Sequence, residues 1–310
     1  MNTLDLSPLR AHFPSLQLEV NGRPAVFLDN PAGTQVPQQV IDAITGYLLH
    51  ANANTGGAFL TSQRTDETIA AARLAMADML GCDPDEIVFG QNMTTLAFAL
   101  SRAIGRTLRA GDEIVVTTLD HDANIAPWVA LEEQGVVIRR ANIHVPDCTL
   151  DMPALLDLIG ARTRLVAVGY ASNAAGTIND LAPIIARAHA VGALVFVDAV
   201  QYAPHGPIDV RALGCDFLAC SSYKFFGPHL GILYGRRALL ESLPAYKVRP
   251  AKDKAPDRWE TGTKNHECMA ALPAIADYFA TIGRDYGGSF GDRLAGYAGR
   301  RRELLAGMEA

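Results

Sequence analysis

From Glu86 onward, short β-branched runs alternate with stretches whose apolar residues recur at helical spacing. EIVFG is followed by a helical pattern through TTLAFALSRAI, and DEIVVTT by a helix after Pro127. VVIRRANI then leads to a helix in MPALLDLIG, RLVAVGY to one in LAPIIARAHA, and ALVFVDA and CDFLACS supply two further strands. Such alternation predicts an α/β fold: a mostly parallel mixed sheet flanked by helices. Ligands of these sheets gather at the carboxyl ends of the strands.

Two regions stand outside this rhythm. Residues 1–20 precede the first strand-like segment, VFLD, and are expected to form an N-terminal segment that packs on the small domain. Residues 21–271 make the large domain, and residues 272–310 read as a connecting helix that stops while still amphipathic, the start of an incomplete small domain.

Composition narrows the function classes. Apolar residues make up 49% of the 310 and charged residues 19%, as in a globular enzyme. A net charge of −6 without a lysine-rich block argues against nucleic-acid binding. With neither a leader-like N-terminus nor an apolar run of membrane-spanning length, the expected location is cytoplasmic, with no membrane partner. The five scattered cysteines contain no CxxC pair and are expected to be reduced.

The candidate chemistry centres on CDFLACSSYKFFGPHLGILYG. Lys224, the first lysine in the chain, sits between an apolar strand and Phe225-Phe226. An amine in an apolar pocket has a lowered pKa and becomes a nucleophile, suited to a Schiff base with the aldehyde of pyridoxal 5'-phosphate (PLP). A surface loop lysine is the alternative, and the neighbours weigh against it. Asp198, closing the strand ALVFVDA, could keep a pyridine nitrogen protonated, with Gln201 toward the ring oxygen; it could equally cap a helix. His121 could stack on the cofactor, shuttle protons or be an ordinary satisfied polar residue. A metal reading of Asp120-His121-Asp122 is disfavoured, because neighbouring side chains point to opposite faces. Phosphate contacts are expected from Thr94, the backbone of Met93, Ser221 and Tyr223, with helix capping as the other use of Thr94 and Thr95.

Together, DHDANIAPW, ASNAAGT, VDAVQ, SSYKFFGPHLGILYG and WETGT resemble the class V aminotransferases, PLP enzymes of fold type I, and within them the cysteine desulfurase and selenocysteine lyase group. The resemblance implies PLP as cofactor, bound by Lys224, Asp198, Gln201, a stacked His121, Ser221 and Thr94. It also implies that Asn173 lies beside the cofactor and the substrate carboxylate, and a homodimer in which Thr263 reaches the phosphate of the partner's site. In the family, a C-terminal small domain supplies an arginine for the substrate carboxylate and, in desulfurases, a sulfur-accepting cysteine, and the chain is expected to end before both. Tyr223 replaces a common histidine, and Asn54-Thr55-Gly56-Gly57 stands where the family has a histidine-arginine-glycine segment.

The expected activity is carbon–sulfur or carbon–selenium lysis of a small amino acid. Transamination, racemisation, carbon–carbon cleavage or other class V chemistry would use the same ring-binding residues, and a truncated PLP-binding or dimerising paralogue without turnover is the non-enzymatic alternative.

Overall fold

The computed structural model describes residues 5–290 and 294–310. The chain divides into two compact units, one from Met1–Met76, Ser222–Leu230 and Asn265–Ala310, the other from Ala77–Ser221 and Gly231–Lys264.

The second unit holds a seven-stranded sheet: β1 Ile87–Gly90, β2 Glu113–Thr117, β3 Val137–Ala141, β4 Thr163–Gly169, β5 Leu194–Asp198, β6 Phe217–Ser221 and β7 Gly231–Gly235. Its order is β1-β7-β6-β5-β4-β2-β3. The run from β6 to β3 is parallel, and β7 pairs antiparallel with both β6 and β1. This is the mixed, mostly parallel sheet that the alternation predicts. Helices α3 Met93–Gly105, α4 Met152–Leu158 and α5 Ala182–Ala190 pack on it, and α1 Gln38–His50 and α2 Leu60–Leu80 precede it in the chain.

The strands are apolar because both faces are covered: β2, β6 and β7 are buried at every residue. Ile114, Val116, Phe196 and Phe217 meet Leu100, Ile104 and Trp128 in one core, where Trp128 packs edge-on against Phe196 at 5.4 Å. Buried Glu260 accepts the N–H of Phe89 on edge strand β1 at 2.9 Å and pairs with Lys264 at 3.2 Å, so part of that edge is satisfied by a side chain.

In the first unit, α6 His266–Tyr286 packs against α1 and against α7 Gly299–Glu309. Phe13, Phe226, Tyr278 and Phe279 form an aromatic cluster, with Phe226 lying 5.4 Å from Phe13 and 5.8 Å from Tyr278. One sequence expectation differs here. VFLD forms no strand, and Val26 and Leu28 are 78% and 87% exposed: apolar composition without a ladder partner does not make a strand.

Candidate active site

The parallel register brings the carboxyl ends of four adjacent strands, β6, β5, β4 and β2, to one edge of the sheet. Those ends are Ser221, Asp198, Gly169 and Thr117. His121 follows Thr117, Asn173 follows Gly169, and Gln201 follows Asp198, so the strand ends set most of the candidate residues.

Asp198 is 7% exposed and stands in register with Gly169 on one side and Ala219 on the other. Its Oδ1 accepts the N–H of Val200 at 2.9 Å. The capping alternative is therefore met only by a turn, because residues 200–205 form no helix.

His121 is exposed, and its Nδ1 accepts the N–H of Ala123 at 3.0 Å. That bond places the proton of the neutral ring on Nε2. Asp120 turns inward while His121 and Asp122 are exposed, so the three do not converge on one ion.

At the start of α3, Asn92 and Thr95 form the capping box: Asn92 Oδ1 accepts the N–H of Thr95 at 2.9 Å. Thr94 is left half-buried at the second helical position. The N–H of Met93 donates to Ser221 Oγ at 3.0 Å, which joins the helix start to the end of β6. Gly231 permits the approach, since a Cβ there would lie 2.5 Å from the backbone of Asn92.

From Ser221 the chain enters the turn Ser222–Lys224, which belongs with the first unit. Lys224 is buried, and its Nζ donates to the carbonyl of Pro31 and lies 4.8 Å from the centre of the Tyr223 ring. Tyr223 in turn stacks on His229 at 4.8 Å. The Thr34 hydroxyl accepts the N–H of Phe226 at 2.7 Å and donates to the Tyr223 carbonyl at 3.1 Å, bracketing the lysine. Asn173 and Thr263 are exposed, and no hydrogen bond among the described residues ties either to the strand-end residues.

In the second unit, a buried carboxylate at a strand end and a helix start beside a hydroxyl suit a flat anionic ring, and the first unit carries a buried amine of the kind an aldehyde takes. Residues 26–305 match the family model described as aminotransferase class-V. The chain belongs to the class V aminotransferase family. Family members depend on PLP, and the donor set fits that cofactor. A cysteine desulfurase of Salmonella newport is 36% identical over 313 residues, covering 96% of this chain and 77% of that protein. Among solved structures, the cysteine desulfurase CsdA of Escherichia coli superposes with a TM-score of 0.78 at 30% identity, covering 96% of this chain and 79% of that one. A cysteine desulfurase of Thermococcus onnurineus NA1 does so with a TM-score of 0.77 at 27% identity, covering 91% and 77%. The chain is thus a cysteine desulfurase-like member of this PLP-dependent family, with its fold.

All five cysteines are free. Burial pushes the Cys215 thiol up to about 12 and the Cys268 thiol up to about 11, and raises that of Cys220 as well. These three are held as thiols at neutral pH, not as nucleophilic thiolates.

Sequence reasoning missed the partners that hold the site in place. Pro31 and Thr34 stand nearly two hundred positions before the lysine turn and carry no signal of that contact. Asp120 has no assigned role in the sequence once a metal cluster is disfavoured. Its real signals are a hydroxyl three residues before it and an amide four residues after it, Thr117 and Asn124, both of which bond its carboxyl.

Proposed function

We propose that the chain is a carbon–sulfur lyase that converts L-cysteine, or its selenium analogue, to alanine and passes the sulfur or selenium to an acceptor. The observation behind this reading is the buried Lys224, held on the Pro31 carbonyl directly after β6, in a chain similar to cysteine desulfurases over 96% of its length.

Lys224 would bond covalently to the PLP aldehyde carbon and, once displaced by substrate, move a proton at the substrate α-carbon. Bound PLP supplies the electron sink for the charge left at that carbon. Asp198 would hold the proton on the pyridine nitrogen, and Gln201 would donate to the ring oxygen. His121 would stack on the ring and donate its Nε2 proton, a donor role that its Nδ1 bond from Ala123 fixes. Ser221, Thr94 and Tyr223 would hold the phosphate, with the Met93 N–H spent on orienting the Ser221 hydroxyl rather than on the phosphate, and Asn173 would face the substrate carboxylate. The assembly would be a cytoplasmic homodimer in which Thr263, exposed in this chain, reaches the phosphate of the partner's site. Among the described residues, no helix is long and apolar enough to cross a membrane.

Incubating the PLP-loaded protein with L-cysteine and an added thiol tests the activity. Alanine and sulfide in equal amounts are expected, with both abolished in Lys224→Ala. A keto acid in place of alanine would assign transamination, and a visible cofactor band that no amino acid perturbs would rule out turnover.

A further inference from the structure

Asp120 is a buried acid with no part in the chemistry above. The residue as a whole is half-buried, and its carboxyl is the enclosed end. Thr117 Oγ1 donates to Oδ2 at 2.5 Å and Asn124 Nδ2 to Oδ1 at 3.2 Å. Oδ1 occupies the space a side chain would take at residue 169, 2.5 Å from where a Cβ would stand. Glycine at 169 thus admits the carboxyl to the strand end. Gly169 is in turn the register partner of Asp198. Both carboxyls therefore lie at the end of β4, near enough for the charge of Asp198 to act on Asp120.

We propose that Asp120 is a positioning residue for Asp198, a neutral acid that lets Asp198 carry the pair's negative charge and that releases its proton to solvent when a cationic ring nitrogen settles on Asp198. This rests on the assignment of Asp198 to the pyridine nitrogen. The proton balance is simple. Without cofactor and below about pH 7 the pair holds one proton, on Asp120; with the ring cation in place, the share of the shift that comes from Asp198 is offset and Asp120 ionises at a lower pH. Burial, with the charge of Asp198, pushes the Asp120 carboxyl up to about 7, and the bonds from Thr117, Asn124 and the Gly169 backbone pull it back. Asp198 is the charged group that faces it from β5; Thr117 on β2, Asn124 in the following turn and Gly169 on β4 are neutral, and its chain neighbours His121 and Asp122 are exposed.

This carboxyl then adds its own pH dependence to cofactor binding, which the ratio of wild type to Asp120→Asn isolates. Below the value the carboxyl has in the complex, both states hold the proton and affinity does not change. As pH rises from there to about 7, the complex has lost the proton before the free protein has, so affinity climbs; above about 7 it levels off.

The test titrates cofactor-free protein with PLP from about pH 5 to about pH 9, reading the visible band of the bound cofactor to obtain an apparent Kd. The expected result is an affinity ratio of wild type to Asp120→Asn that rises toward pH 7 and then levels, by about tenfold for each pKa unit the cofactor removes from the carboxyl. Thr117→Val, which deletes a bond that lowers the carboxyl pKa, should move the levelling point to higher pH. A flat ratio overturns the proposal. If Asp120→Asn does not fold, an unmoved levelling point in Thr117→Val overturns it instead. Asp198→Asn separates the two levels of the argument: an unchanged band and affinity in that variant would remove the Asp198 assignment itself, whereas a disturbed band with a flat ratio would remove only the role of Asp120.

Discussion

Thr34 Oγ1 accepts the N–H of Phe226 at 2.7 Å, two residues beyond Lys224. Phe226 has φ of 69°, a left-handed conformation that a bulky side chain rarely adopts. The aromatic cluster of Phe13, Tyr278 and Phe279 packs the Phe226 ring, and the Thr34 hydroxyl holds its backbone. The lysine turn is therefore kept in a strained shape from two sides. Thr34→Val removes both hydroxyl bonds and leaves a part-buried N–H without that partner, which should cost on the order of 1–3 kcal/mol. Urea unfolding checks the loss, and weaker retention of PLP should accompany it.

Ser221→Ala tests the junction between β6 and α3. The N–H of Met93 is buried and donates to Ser221 Oγ, so its loss should again cost on the order of 1–3 kcal/mol of stability. If the hydroxyl proton also serves the phosphate, PLP affinity should fall beyond what the stability loss explains. Ser221→Thr, which keeps the hydroxyl, should recover much of both. Equilibrium unfolding and PLP titration of the two variants make the comparison.

What the sequence made legible is the part that depends on local pattern. Strands β1 to β5 follow from β-branched runs and β6 from the apolar run CDFLACS, and Asp198, Ser221 and the segments after Thr117 and Gly169 fall where parallel sheets expose strand ends; the antiparallel β7 is added by the structure. What it hid depends on contacts between distant segments. The Pro31 carbonyl under Lys224 lies 193 positions away in the chain, and VFLD has a strand's composition but no neighbour to pair with. Asp120 shows the same limit at short range. Its place in the run Asp120-His121-Asp122 gives no sign of its partners, whereas its inward rotation bonds it to Thr117 and Asn124 and sets it against Gly169.

Helices α6 and α7 meet backbone to backbone. A Cβ on Gly283 would lie 1.8 Å from the carbonyl oxygen of Glu303, and one on Gly307 would lie 1.8 Å from that of Phe279. Backbone cannot yield as a flexible side chain can, so Gly283→Ala should destabilise by at least about 1–3 kcal/mol. Gly288→Ala, where a Cβ would meet nothing within 4 Å, is the matched control and should be close to neutral. Thermal melts of the two variants distinguish this close packing from a general intolerance of the segment.

The raised carboxyl of Asp120 also has a consequence for the cofactor-free protein. A carboxyl that binds its proton more tightly when folded than at its ordinary value of 3.8 favours folding below that value. As pH rises from there to about 7, the unfolded chain ionises first and the folded state loses ground; above about 7 the loss is complete and constant. Each unit of difference corresponds to about 1.4 kcal/mol, so the whole window amounts to at most a few kcal/mol. Asp120→Asn has no proton to lose and escapes this cost. Measured by urea unfolding without PLP, the stability of Asp120→Asn relative to wild type should therefore increase from about pH 4 to about pH 7 and then stay level. A difference that does not vary with pH would mean that the carboxyl is solvated in the folded protein, and the enclosed pair with Asp198 would have to be abandoned.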